Sequence, residues 1–331
     1  MRVLMLTSVW PTPEHPEYAP FIPRQVNGLR ELGVDVDVFH VNGHKSPIGY
    51  SRAWVSVQRR LVHGSYDLIH AQWAQAALPA LPLRRPLVVT FRGSDVEGFR
   101  ASSCLEAVSA WTLPRIARGV ARLANEAILV ARRLARRLPP REYHVIPSGL
   151  DLDLFRPCPQ EEAQTRLGLA PGFRYVLFAA SPRNPIKRYS LAQTAVERLH
   201  PRYRAKLVVA SGVEPVQMPL YMNACDALLV TSLHEGSPNV VKEALACNLP
   251  VVSTDVGDVR ERIKHVDGCV VCENDDPQHL GAALEAVLAR SQRIAGRSAV
   301  SDLDESRLTR KVIAVYERAL GGGSIRKFHA A

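Results

Sequence analysis

The chain predicts an α/β protein of two doubly wound units, each a parallel sheet covered by helices, and three observations carry that expectation. Its 331 residues suit two domains of ordinary size, at roughly 100–200 residues each. Short runs rich in Val, Ile and Leu recur along it, alternating with segments of helical apolar spacing. These runs are continuously apolar rather than alternating, the mark of strands buried on both faces of a parallel sheet. With 47% apolar and 22% charged residues, disorder, a coiled coil and a disulfide-stapled miniature are excluded.

Strands are expected first at residues 2–7, 34–40, 67–71, 86–91, 127–130 and 143–147, then at 175–180, 205–210, 226–231, 250–254 and 268–272. Helical spacing marks 24–32, 191–199 and 279–290. The expected organisation is a first doubly wound domain over 1–157 and a second over 158–304. A closing helix follows at 305–320, with Leu308, Val312, Ile313, Val315, Tyr316 and Leu320 on a 3.6-residue period. It stops at Gly321-Gly322-Gly323, leaving 321–331 as an expected flexible tail. In such sheets ligands sit beyond the carboxyl ends of the strands, and two facing units are expected to leave a cleft.

No apolar run reaches the roughly 20 residues that span a bilayer, and Met1–Thr7 is too short and too soon polar for a signal peptide. Six scattered cysteines in a chain of this length point to reduced thiols and a cytoplasmic setting. The net charge of +10 is uneven, at +8 over residues 1–150 and +2 over the remainder. Much of the excess lies in Arg115, Arg118, Arg122, Arg132, Arg133, Arg136, Arg137 and Arg141. Arg115, Arg118 and Arg122 share one helical face, as do Arg133 and Arg137, or Arg132 and Arg136. The plain reading is a solvated helix surface. An anionic membrane surface is the functional reading, since no aromatic residues interleave as nucleic-acid binding would ask.

The segment from Asp226 to Ala246 carries the chemistry. An apolar strand ends at Thr231, and a polar turn leads to Ser237 and Pro238, a pattern that starts a helix with Ser237 as N-cap and Pro238 at its first position. The free N–H groups of that start suit a phosphate or a negatively charged oxygen. Gly236 permits close approach of the main chain. Glu235 falls in the turn and Glu243 about one and a half turns into the helix. Carboxylates so placed accept hydrogen bonds from two sets of sugar hydroxyls.

Glu235-Gly-Ser-Pro-Asn-Val-Val-Lys-Glu243-Ala-Leu-Ala resembles the Glu-x7-Glu motif of the retaining glycosyltransferases of family four. Val145–Pro157 is similar to that family's interdomain signature, and Pro250–Gly257 to its next strand and turn. The resemblance covers residues 1–320 and is most specific at 226–262. It implies a GT-B fold with the last helix crossing back to the first domain. It implies a nucleoside diphosphate sugar as donor substrate, with no cofactor and no metal, transferred with retention to a saccharide or lipid-linked acceptor. That places the protein in the hexosyltransferase class, among enzymes of cell-envelope polysaccharide synthesis; the charge asymmetry suits a lipid-linked acceptor and the inner face of the membrane as its place of work.

By the same resemblance, Glu235 contacts the donor sugar and Glu243 the ribose, with Gly236, Ser237, Pro238, Asn239 and Val240 lining the donor site. Arg183 and Lys187, in Ser181-Pro-Arg-Asn-Pro-Ile-Lys-Arg188, match the cations that neutralise the diphosphate leaving group. Arg188 is either a third cation or solvated. Arg92, in Thr90-Phe-Arg-Gly-Ser-Asp95, stands where the family often has a His. Arginine is no general base near neutral pH, so its expected role is to stabilise departing phosphate charge. Gln72 replaces another His, Tyr18–Ile22 lacks the usual glycine, and 210–220 is short. These departures keep two other readings in view, a nucleotide-sugar 2-epimerase and a donor-binding scaffold without turnover.

Asp35-Val-Asp37 and Asp151-Leu-Asp153 have metal-motif spacing without neighbouring ligands, so no metal is expected there. Cys269-Val-Val-Cys272 has zinc spacing but no second pair, and reads as buried thiols. His234 reads as structural or surface, and Trp73 and Trp111 as core.

Overall fold

The computed structural model describes residues 1–15, 18–41, 47–98 and 104–321. Its contacts divide the chain into two units, one of Met1–Trp10, Phe21–Gly149 and Glu305–Ala331, the other of Pro11–Pro20 and Leu150–Asp304. The division thus follows Gly149, eight residues before the expected boundary at 157. The expected tail lies, beyond Gly321, outside the described residues.

The first unit runs β1 (Arg2–Thr7), α1 (Phe21–Glu31), β2 (Asp35–His40), α2 (Pro47–His63), β3 (Leu68–Gln72), β4 (Leu87–Phe91), α3 (Ser94–Glu97), α4 (Cys104–Leu123), β5 (Glu126–Leu129) and β6 (His144–Val145). Among the described residues its strands form one sheet in the order β2-β1-β3-β4-β5-β6, and every pairing is parallel. Leu4 and Leu6 of β1, Ile69 and Ala71 of β3, Val89 and Phe91 of β4, and Ala127 and Leu129 of β5 turn to one core with Val57 of α2 and Val120 of α4. Period-two alternation thus assigns α2 and α4 to one face of this sheet.

The second unit runs α5 (Gln160–Arg166), β7 (Arg174–Phe178), α6 (Tyr189–Glu197), β8 (Ala205–Val209), α7 (Met218–Ala224), β9 (Ala227–Val230), α8 (Asn239–Ala246), β10 (Val251–Thr254), α9 (Val259–Ile263), β11 (Val270–Cys272) and α10 (Pro277–Arg290). Its sheet has the order β11-β10-β9-β7-β8, again parallel. The strand order reverses beside β7, so β7 and β9 flank the switch point at which ligands bind. The connection from β8 to β9, residues 210–226, which includes the short 210–220 stretch, holds the seven-residue α7 among the described elements.

The last helix, α11 (Glu305–Ala319), belongs to the first unit. A buried polar chain ties it there. The Tyr316 hydroxyl lies 2.7 Å from Nδ1 of His70, and Nε2 of His70 lies 2.8 Å from the Thr90 hydroxyl. Thr309 packs over Gly28 of α1, where an added Cβ would come within 2.9 Å of the threonine hydroxyl.

Two expectations need correction. Residues 132–137 form a 3-10 helix, at three residues per turn, so neither Arg132 and Arg136 nor Arg133 and Arg137 share a face. Leu138-Pro139-Pro140 ends it before a longer helix can form. Trp111, expected in the core, is 60% exposed. Its neighbours at helical spacing, Val108 and Arg115, are exposed too, so it stands on the outer face of α4.

Burial, reinforced by the Arg92 guanidinium, pushes the His70 imidazole down from 6.5 to about 3. The folded chain keeps this ring neutral where the unfolded chain protonates it, so its contribution fades as pH falls below 6.5. Urea unfolding from about pH 7 to about pH 5 should cost the native chain about 2 kcal/mol relative to His70→Gln. Parallel pH profiles for the two chains would contradict this.

Candidate active site

Three loops at the carboxyl end of the second sheet converge, and each is short enough for backbone hydrogen bonds to fix it. The loop after β7 carries Arg183 and a 3-10 turn, Pro185–Lys187, capped by the Asn184 side chain, which accepts from the Ile186 N–H at 3.1 Å. The turn after β9 clasps it. Leu233 N–H donates to the Ile186 carbonyl at 2.8 Å, and the Thr231 hydroxyl donates to the Lys187 carbonyl at 2.7 Å. Arg188 takes a left-handed backbone, φ +51°. Its guanidinium donates to the carbonyls of Thr231 at 2.5 Å and Ser232 at 3.0 Å and pairs with Asp275 at 2.5 Å. It is therefore not a solvated cation but a cross-brace between the two loops.

This clasp delivers the Lys187 ammonium to Glu235, with Nζ donating to Oε1 at 2.5 Å. The loop after β10 closes the third side. The Thr254 hydroxyl donates to the Ser232 carbonyl at 2.9 Å. Gly257, at φ +60°, sits so close that an added Cβ would lie 2.9 Å from Pro238 and 3.0 Å from the Gly236 carbonyl. Only glycine combines that backbone with that approach.

Helix α8 starts at Asn239, one residue later than expected, with Pro238 as its N-cap and no side-chain cap bond. Ser237 does not cap it, because its hydroxyl donates instead to Asp258 at 2.8 Å. The first N–H groups of α8 thus remain available to an anion. Lys242, 2% exposed, donates from its Nζ to the Asn239 side-chain oxygen at 3.1 Å, within the first turn of that helix. Glu243 is buried in the same helix. Neither Lys242 nor Asp258 stood out in the sequence, although a lysine and a glutamate side by side on an otherwise apolar helix was a visible signal for the first, and Arg188 stood out only as a cation.

The structure brings Lys187 and Glu235 into contact, with Gly236, Ser237, Pro238, Asn239 and Val240 lining the same turn and Glu243 on the helix it starts. Arg183 lies exposed on the loop after β7. Arg92 belongs to the first unit. Its Nε and Nη2 donate to the Gln72 side-chain oxygen at 3.0 and 2.6 Å, and its Nη1 to the Ser148 hydroxyl at 2.9 Å. It stacks on Phe21 and Trp73, 4.4 and 5.4 Å from their ring centres. Burial pushes this guanidinium down to about 9, against the pull of Asp95 and Glu305. Asp95 accepts from the N–H groups of Ala74, Arg92 and Gly93 and fixes the strand end on which Arg92 stands.

Two cavities of about 710 Å³ open at the amino ends of the second sheet's strands, beside Pro250 and Gly268 and beside Arg174 and Asp226. Cys269 and Cys272 behave as inert thiols, burial pushing the first up to about 11 and raising the second.

Residues 174–290 match the family model described as glycosyl transferases group 1. TuaC of Bacillus subtilis (strain 168), a glycosyltransferase named for teichuronic acid biosynthesis, is 26% identical over 78% of this chain and 82% of its own length. A D-inositol 3-phosphate glycosyltransferase of Thermobispora bispora is 26% identical over 71% of this chain and 65% of its own. Among solved structures, sucrose-phosphate synthase of Thermosynechococcus elongatus superposes with a TM-score of 0.80 at 16% identity, covering 98% of this chain and all of that one. HepE of Anabaena, solved with UDP, gives 0.70 at 19% identity over 96% of this chain and 100% of its own. The chain has the GT-B fold and carries a group 1 domain in its second unit; it is a glycosyltransferase.

Gly257→Ala should lower stability by about 1–3 kcal/mol, because it combines a left-handed backbone with two close contacts. Thermal unfolding tests this, and an unchanged midpoint would contradict the packing described.

Proposed function

We propose that this glycosyltransferase moves a hexose from a nucleoside diphosphate donor, with retention and without a metal, to a saccharide acceptor carried on a lipid at the inner face of the cell membrane. The observation that carries the proposal is the Lys187–Glu235 pair, held at 2.5 Å beside the uncapped start of α8. An ammonium and a row of backbone N–H groups are complementary to diphosphate oxygens, and grow more so as the leaving group gains charge. Arg183, on the same loop as Lys187, adds a bidentate donor for those oxygens. Glu235 receives sugar hydroxyls as it shares Lys187, and Glu243 receives the ribose. With cations and a helix end neutralising the diphosphate, the residues present meet the electrostatic demand that a divalent ion otherwise meets.

The nucleotide sugar has support from HepE, solved with UDP-glucose as well as with UDP. The cell-envelope acceptor has support from TuaC and its name. Acceptor binding falls to the first unit, whose strand ends carry Arg92 in its polar frame. Attack proceeds on the face from which the diphosphate departs.

A screen of uridine, guanosine and adenosine diphosphate sugars for a rise in unfolding temperature identifies the donor. With that donor, Glu235→Gln should cut transfer by roughly 10²–10³-fold while leaving nucleoside diphosphate affinity within about threefold. Equal loss of both would contradict the assignment. Activity should survive EDTA, and donor incubated alone should not yield an isomerised sugar. An isomerised product would make the chain an epimerase instead.

A further inference from the structure

The outer face of α4 has a one-dimensional order that neither folding nor sugar transfer explains. Val108, Trp111, Arg115, Arg118 and Arg122 follow one another at spacings of three and four, so they form one stripe along the helix. Val108 and Trp111, each 60% exposed, make its amino-terminal half apolar, and the three exposed arginines make its carboxyl-terminal half cationic. Leu123, 52% exposed, sits beside the cationic end. The 3-10 helix at 132–137 extends that end, since Arg118 Nε donates to the Arg137 carbonyl at 3.2 Å, and it adds the exposed side chains of Arg132, Arg136 and Arg137.

Two acids nearby among the described residues are taken elsewhere. Glu97 pairs with Arg133 at 2.9 Å, and Glu142 with Arg318 at 3.1 Å. Among the described residues, Arg115, Arg118, Arg122, Arg132, Arg136 and Arg137 have no carboxylate within ion-pair distance. The Arg115 guanidinium stacks on the Trp111 ring, 3.5 Å from its centre, which joins the two halves. Arg141 is different in kind: it donates to the carbonyls of Ala121, Ala124 and Asn125 and closes the end of α4. On the same sheet face, α2 contains three arginines and no acid, and exposes Trp54, Val55 and Val62.

We propose that this face docks on an anionic bilayer. Val108 and Trp111 enter the interfacial layer, and the arginines from Arg115 to Arg137 meet lipid phosphates. A nucleic acid would match the arginines but leave Val108, Leu123 and Val62 without a role, whereas a bilayer uses both halves. The inference stands on this surface alone and deepens the transferase reading only by bringing the protein to a lipid-linked acceptor. Vesicle binding is read without donor, so its failure leaves that reading intact.

The test is co-sedimentation of the full chain with vesicles of phosphatidylcholine alone and of phosphatidylcholine mixed with phosphatidylglycerol. Binding should appear only with the mixed vesicles and weaken with added salt. At roughly fivefold per arginine, replacing Arg118, Arg122, Arg136 and Arg137 together by Gln should weaken it at least about 100-fold. Replacing the same four by Lys should retain most of it, which separates charge from fold. Trp111→Ala should weaken it several-fold and remove the part of the emission shift that vesicles induce in Trp111. Equal binding to both vesicle types, or no change in the Gln variant, would overturn the proposal. Tighter binding to duplex RNA than to mixed vesicles, insensitive to Trp111→Ala, would overturn it in favour of a nucleic acid.

Discussion

The second unit depends on a clasp between loops that lie far apart in the chain. Thr231 and Leu233 hold the main chain of residues 186–187 from one side, while the Arg188 guanidinium reaches back to the carbonyls of Thr231 and Ser232 from the other. Each bond satisfies a backbone group at a strand end, where the sheet no longer does so. The Lys187–Glu235 contact is a consequence of this clasp. A lysine and a glutamate on free loops would lose much of their attraction to side-chain entropy and solvent; held by their main chains, they meet in one place.

The same clasp explains why the site lies at a switch point. Because β8 and β9 lie on opposite sides of β7, the loops after β7 and β9 leave neighbouring strands towards opposite directions, and a gap would open without further bonds. Helix α8 starts at that gap with its first N–H groups uncapped, Lys242 in its first turn, and Gly257 pressed against the turn before it. Pro238, at the capping position, has no side chain to cap with, and the Ser237 hydroxyl before it is taken by Asp258. Leaving the helix end open costs stability and provides a place for a negatively charged oxygen.

Much of this was legible in the sequence. The strands were, because parallel strands buried on both faces write themselves as unbroken apolar runs, and none of their ends moved by more than two residues. The placing of Glu235 in the turn and of Glu243 in the helix was, because their setting constrains a strand, a turn and a helix at once. The bracing role of Arg188 and the part played by Asp258 were not, since they arise from convergence of segments tens of residues apart, which no local pattern encodes. Ser237 misled because Ser-Pro before an apolar run is a sound capping signal, defeated by an acid 21 residues on. Trp111 misled because a tryptophan on a helix is most often buried; only its spacing with Val108 and Arg115 placed it outside.

The central claim is that donor phosphate oxygens rest against the start of α8 and the Lys187 ammonium. Diffraction from crystals soaked with the nucleoside diphosphate that most raises the unfolding temperature tests it directly. The account requires diphosphate density within hydrogen-bond reach of the main-chain N–H groups at Asn239 and Val240, with the ribose on Glu243. Density instead in the openings beside Pro250 or Arg174, at the far end of the same strands, would contradict it.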